Sequence, residues 1–295
     1  MNHGSVRRHV RLACMLSLTV ACLGGTCFAG TASYRSIVLG DNPIVYYEFD
    51  EVGGTTLVNS ATTGSLYDGT FNKSQSIAVN QPSFTAGGAS YRFTGGFVVA
   101  SGLTESLTEW TVEAWVNYDA SKSAASNFFS NDQGGWNDDV LVGIGPEEGT
   151  EVPAGNVGAV HQGNGGSVST DRDFAGAPLA AGEWHHIAVT GSTTAGELSL
   201  FIDGVFAASD TSLINGVTLN GVDGFGSPSL IVGASRTDGL RPYVGLLDEL
   251  AIYDYVLTPT QLTAHATITP VPEPVGTTLL VVAAGALVLR RGLRR

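Results

Sequence analysis

The chain has 295 residues, of which only 14% are charged, and glycine alone supplies 39. That length holds one large β domain or two smaller ones, and the Gly-rich, charge-poor make-up suits an exported, turn-rich β protein better than a cytosolic enzyme. Residues 30–270 carry seven basic against 26 acidic groups, a net of −19, so this part repels nucleic acid and anionic glycans and favours divalent cations or neutral partners.

The first 29 residues read as a secretory signal peptide. A basic start, MNHGSVRRHVR, leads into the apolar LACMLSLTVACLGG, and Cys27-Phe28-Ala29 places small residues at −3 and −1 of a cleavage site after Ala29. All three cysteines, Cys14, Cys22 and Cys27, fall inside this segment, so the mature protein is expected to have no disulfide and no thiol chemistry.

From Ser33 onward the chain reads as strands and turns. Val45, Tyr47 and Phe49 alternate with Tyr46, Glu48 and Asp50 as a first strand, ended by Gly53-Gly54. Residues 89–93 and 97–100 flank Gly95-Gly96 and predict a hairpin. Residues 110–118, WTVEAWVNY, alternate Val112, Ala114 and Val116 with Thr111, Glu113, Trp115 and Asn117. Residues 130–176 are the least regular, with short strands expected at 140–144 and 157–160. The segment 184–208 organises the chain: WHHIAVT and ELSLFI are strands, and Asp203-Gly204 predicts a type I′ turn into VFAA. Residues 230–233 and 245–253 close the domain. The only short helix expected is in 255–265, with Thr258 as N-cap and Pro259 as its first residue.

After Thr267 the composition changes. ITPVPEP is a stiff, extended linker, residues 275–289 are apolar and uncharged, and RRGLRR follows. Fifteen residues make a helix of about 22 Å, a marginal span of a ~30 Å hydrocarbon core, with the terminal arginines kept cytoplasmic. This tail resembles the PEP-CTERM sorting signal of bacterial envelope proteins, through Val271-Pro272-Glu273-Pro274, the short apolar helix and the arginine cluster. The resemblance implies recognition by a membrane sorting enzyme of the exosortase type, and a protein sorted to the cell surface or secreted. An ordinary tail anchor is the alternative.

Residues 33–268 resemble the laminin-G-like, concanavalin A-like jelly rolls. VYYEFDE (45–51), WTVEAWVNYD (110–119), EWHHIAVT (183–190), LSLFIDGVFA (198–207) and VGLLDELAIYDYVLTPTQL (244–262) carry the resemblance in order and spacing. The fold implied is all-β: an antiparallel two-sheet sandwich of about six or seven strands per sheet. The family holds glycan-binding modules, adhesion domains and some enzymes.

The glycosidases of this family place Glu-x-Asp-x-x-Glu on one strand. Glu48-Phe49-Asp50 supplies two of the three acids, but Gly53 stands at the third, so no catalytic residues are assigned. The same relatives imply a structural calcium joining first and last strands, and Glu48 and Asp248 match its ligand positions. His185 and His186 point to opposite faces of a strand and cannot share one ion; His186 is expected to fill core space and bond to backbone. The segment 130–139, SNDQGGWNDD, gathers Asn131, Asp132, Asn137, Asp138 and Asp139 around Trp136. An exposed Trp stacks on a sugar ring while amides and carboxylates bind its hydroxyls. The expected function is therefore an exported, non-catalytic surface module for carbohydrate, exopolysaccharide or matrix. A structural or adhesive envelope protein and a polysaccharide-active enzyme are the alternatives.

Overall fold

The computed structural model describes residues 33–85, 88–132, 139–146, 152–162, 172–211, 219 and 229–267. The signal segment 1–29 and the tail 269–295, with Val271–Pro274, lie outside the described residues. In chain order the elements are α1 (Tyr34–Gly40), β1 (Val45–Tyr47), β2 (Thr56–Leu57), β3 (Gly69–Asn72), β4 (Ile77–Pro82), β5 (Ala89–Thr94) and β6 (Phe97–Ser101). Next come β7 (Glu109–Tyr118), β8 (Ser126–Ser130), β9 (Asp139–Ile144), β10 (Asn156–Gln162) and β11 (Arg172–Pro178). The last are β12 (His185–Ser192), β13 (Glu197–Ile202), β14 (Val205–Asp210), β15 (Ser229–Val232), β16 (Val244–Tyr253) and α2 (Pro259–Ala266).

The strands form two antiparallel sheets of eight, more than the six or seven expected, because short strands such as β1 and β2 join them. Sheet A runs β14-β13-β12-β7-β16-β5-β4, with β1 also on β16; sheet B runs β11-β10-β9-β8-β15-β6-β3-β2. Strand alternation sets what goes between them. Val112, Ala114 and Val116 of β7 face inward with Ile187 and Val189 of β12 and Leu247, Leu250 and Ile252 of β16, meeting Val142, Val157 and Val232 of sheet B in one apolar core. The type I′ turn forms as expected: Asp203 and Gly204 take φ of 52° and 74°, and Ile202 pairs with Val205.

Two expectations are corrected. Strands β5 and β6 do not form a hairpin: β5 pairs with β4 and β16 in sheet A, and β6 with β3 and β15 in sheet B. Gly95-Gly96 is the crossing between the sheets, where Gly95 has φ 121° and a Cβ on Gly96 would come within 2.5 Å of Ile77. Residues 34–40 form a helix that strand-and-turn reading missed. Ser33 caps it, its hydroxyl accepting from the Ser36 amide at 3.3 Å. Seven residues with adjacent Ile and Val have weak intrinsic helicity, and burial of Tyr34 and Val38 against sheet A supplies the rest.

That contact defines a second core, on the outer face of sheet A. Tyr34 and Val38 of α1 and Leu262 of α2 cluster with Tyr46, Trp115, Ala188, Phe201, Ala251 and Tyr253. Phe84 stacks flat on Trp115, with ring centres 4.1 Å apart. Trp110 and Trp115 are buried packing residues, as their place in the β7 pattern suggests.

Candidate functional site

The segment around Trp136 joins β8 to β9. Trp136, Asn137 and Asp138 lie outside the described residues, and Asp139 opens β9. The described part fixes its base. The Asn131 amide donates to the Val140 carbonyl at 3.2 Å, and the Val140 amide donates to Asn131 Oδ1 at 2.7 Å. The Asp132 amide donates to Ser130 Oγ at 2.9 Å, and Arg236 Nε donates to Asp132 Oδ2 at 2.8 Å. Asn131 and Asp132 are 1% and 0% exposed, so these two side chains anchor the segment and do not line a free binding face. Strand alternation gave no hint of that burial, because Arg236 arrives from more than 100 residues downstream.

The Glu48 and Asp248 positions meet at a kink. Strand β16 pairs with β5 through Leu247 and with β1 from Leu250 onward, and a bulge between Asp248 and Ala251 makes the change. Glu249 sits in that bulge at φ 53°, and Phe49 after β1 at φ 55°, left-handed conformations that cost about 1–3 kcal/mol each. Tyr46 donates its hydroxyl to Glu249, and Ser83 donates to Asp248 Oδ2 at 2.6 Å. Burial pushes both the Asp248 and Glu249 carboxyls well above the ordinary carboxylate range; the charge of Asp50 adds for Asp248, and that of Asp248 for Glu249.

Calcium at this point fits in part. Asp248 Oδ1 is buried with no hydrogen-bond partner, which suits a hard cation. Glu48 is less available, because Arg35 Nε donates to both its oxygens, at 3.0 and 2.9 Å. Among the described residues no group of three or more His, Cys, Asp or Glu side chains is arranged to hold a metal.

A third charged cluster was not singled out by motif. Glu113 of β7 is fully buried on the outer face of sheet A. His265 Nδ1 lies 2.8 Å from its Oε1, Tyr253 donates its hydroxyl to Oε1 at 2.7 Å, and His186 Nε2 is 3.2 Å from Oε2. His265 Nε2 reaches Asp41 at 3.0 Å. Burial pushes the Glu113 carboxyl up, but its contacts with His186 and His265 outweigh this and hold it down at about 2. Burial alone would lower His265; Glu113 and Asp41 raise it instead. The two adjacent histidines do part company: His185 Nδ1 lies 2.9 Å from Asp203 Oδ2, while His186 faces Glu113 and not the backbone partner expected for it. Glu113, His186, Tyr253 and His265 are buried and Asp41 is partly exposed at the rim, so this cluster ties elements together and offers no opening to substrate.

Two packed antiparallel sheets of this kind define a jelly-roll sandwich. A model of the concanavalin A-like lectin/glucanases superfamily (Laminin_G_3) matches residues 87–263, and the chain belongs to that family. It is 28% identical over 193 residues to the rat (Rattus norvegicus) Sushi, von Willebrand factor type A, EGF and pentraxin domain-containing protein 1, covering 59% of this chain and 4% of that one. The mouse (Mus musculus) counterpart is 27% identical over the same length and share. The chain thus spans a small fraction of these curated relatives. Among solved structures, domain 4 of AbnA, a GH43 extracellular arabinanase from Geobacillus stearothermophilus in complex with arabinotriose, is similar in fold, with TM-score 0.53, 22% identity, and 77% of this chain and 98% of that one covered. The ligand-binding domain of botulinum neurotoxin serotype D in complex with N-acetylneuraminic acid gives TM-score 0.55 at 11% identity, over 80% of this chain and 52% of that one. Among the described residues no helix is long and apolar enough to cross a membrane.

Proposed function

We propose that this protein is an exported, non-catalytic module that binds carbohydrate or extracellular matrix at the cell surface. Its family contains lectins and glucanases, and two of the folds it resembles were solved with a sugar bound. The observation that carries the reading is the anchored base of the 131–139 segment. Hydrogen bonds across its ends and the Arg236–Asp132 pair hold the two flanks of the segment in place, and the sequence between them, which lies outside the described residues, carries Trp136, Asn137 and Asp138. Such preorganisation lowers the ordering cost of a binding loop. The non-catalytic part of the reading is supported by Glu48-Phe49-Asp50: Arg35 takes Glu48, the Ala89 amide donates to Asp50 at 3.1 Å, and Gly53 follows in place of a third acid.

The tail 269–295 delivers the protein as a PEP-CTERM-type sorting signal, read by an exosortase-type enzyme while the apolar segment holds it to the membrane. A structural calcium at Asp248 completes the proposal, bound by an oxygen that the protein itself leaves unsatisfied. The test is binding of the purified full-length protein to immobilised polysaccharides. Trp136→Ala is expected to abolish binding with the unfolding midpoint unchanged. Binding to cells or matrix that survives this change would favour an adhesive role, and release of reducing ends would establish an enzyme.

A further inference from the structure

Asn117, Leu246 and Arg92 share the outer face of sheet A but lie outside the cluster that the terminal helices cover. They form one cross-strand row: Leu246 of β16 pairs with Asn117 of β7 on one side and Arg92 of β5 on the other. Neighbouring strands are about 4.8 Å apart, so Asn117 and Arg92 stand roughly 10 Å from each other across Leu246. Over this row opens a cleft of about 390 Å³, lined also by Asp119, Ala181 and Gly182. That volume lies within the range of small-ligand sites, about 300–1,000 Å³.

The chemistry of the lining is specific. Among the described residues, neither the Arg92 guanidinium nor the Asn117 carboxamide makes a side-chain hydrogen bond or ion pair. By contrast, Arg35 and Arg236 are each engaged by a carboxylate. Asp119 Oδ1 accepts from the Ser121 amide at 2.9 Å, which fixes the carboxylate at the cleft edge. Bonds from Ser121 hold the Asp119 carboxyl below its ordinary value, and the charge of Arg92 adds to this, so it stays an ionised acceptor. The cleft therefore offers a fixed acceptor, a charged donor and an amide that does both, around a small apolar floor. Each hydroxyl of a sugar donates one hydrogen bond and accepts others, and the C–H faces of the ring are apolar. The charges of Arg92 and Asp119 cancel, so nothing in the cleft selects for an anion.

We propose that this cleft is a second glycan subsite, which takes a neutral, hydroxyl-rich sugar residue across Leu246 between Arg92 and Asn117. It rests on the carbohydrate-binding reading, and it adds to the affinity of the Trp136 segment through residues of its own. The test measures binding of the full-length protein to panels of neutral and uronate-bearing polysaccharides, for the native chain and for Arg92→Gln, Asn117→Ala and Trp136→Ala. Arg92→Gln keeps the apolar stem over Leu246, and unfolding midpoints show that each variant is folded. Loss of a charge-assisted hydrogen bond is expected to weaken neutral-glycan binding about tenfold in Arg92→Gln, with a smaller loss in Asn117→Ala. Binding that is unchanged in both variants but lost in Trp136→Ala would overturn the subsite and leave the carbohydrate reading standing. Binding restricted to uronate-bearing glycans and lost in Arg92→Gln would overturn the neutral class. No binding to any glycan would overturn both.

Discussion

His265, in the last turn of α2, places Nδ1 2.8 Å from Oε1 of Glu113 in the middle of β7, and both side chains are fully buried. Its other ring nitrogen meets Asp41, which caps the C-terminus of α1. Carboxylates on both sides favour the imidazolium form of His265, and this one side chain joins α1, α2 and β7. Removing either partner strands a buried charge. Glu113→Ala is expected to cost about 3–5 kcal/mol, and His265→Ala a comparable amount. The double variant should lose less than the sum, because each single change already breaks the pair. Urea unfolding of the four proteins measures this, and strict additivity would rule out the coupling.

The same cluster sets a pH profile. His265 is raised above its ordinary value of 6.5, so its contribution is fully present below that pH and is lost as pH rises through the folded value. Glu113 is depressed from 4.5 to about 2, so its contribution is present above 4.5 and is lost as pH falls towards 2. Asp248 and Glu249 are raised, so the fold favours their protonated forms and their effect is to lower stability as pH rises above about 4. Thermal unfolding from pH 3 to 9 is therefore expected to show a maximum on the acid side of neutrality. His265→Gln should flatten the fall above pH 6.5 and leave the acid limb in place.

Gly204 tests how tightly the β13–β14 hairpin, at the edge of sheet A, seats against α2. Its φ is +74°, and an added Cβ would stand 2.8 Å from Thr263 Cα and 3.1 Å from the Leu262 carbonyl. Gly204→Ala is expected to destabilise by about 1–3 kcal/mol through left-handed strain and the clash together. Gly54→Ala, with φ +100° but open space around it, should cost less. Equal losses would place the Gly204 effect in the turn alone.

This hairpin was legible because its information is local: two alternating runs and an Asp-Gly between them specify turn and register. The β7 pattern was equally plain, and so was the opposition of His185 and His186. Burial of Glu113 was not, since a strand with polar residues on one face looks half-solvated until α1 and α2 bring Tyr34, Asp41 and His265 onto it from opposite chain ends. The crossing at Gly95-Gly96 resembles a hairpin turn for a similar reason, because strands of different sheets alternate just as paired ones do. Asn131 and Asp132 carry residue types suited to sugar binding, and only the arrival of Arg236 and Val140 turns them into anchors.

Calcium is expected to act through Asp248. One bound ion at a concentration of 100 Kd raises stability by about 2.7 kcal/mol. The rise should be larger at pH 8 than at pH 5, because ligand carboxylates must give up their protons to bind. Asp248→Asn should remove the effect. An unfolding midpoint indifferent to calcium and to chelator at pH 8 would exclude the ion.

The central claim is that this sandwich binds carbohydrate, and an array of neutral, amino and acidic glycans probed with the full-length protein tests it most directly, once in calcium and once in EDTA. Selective binding to a small set of neutral glycans, lost in Trp136→Ala and weakened in Arg92→Gln, is the expected result. An array with no glycan bound under either condition would contradict it, and would move the function to protein contacts at the cell surface.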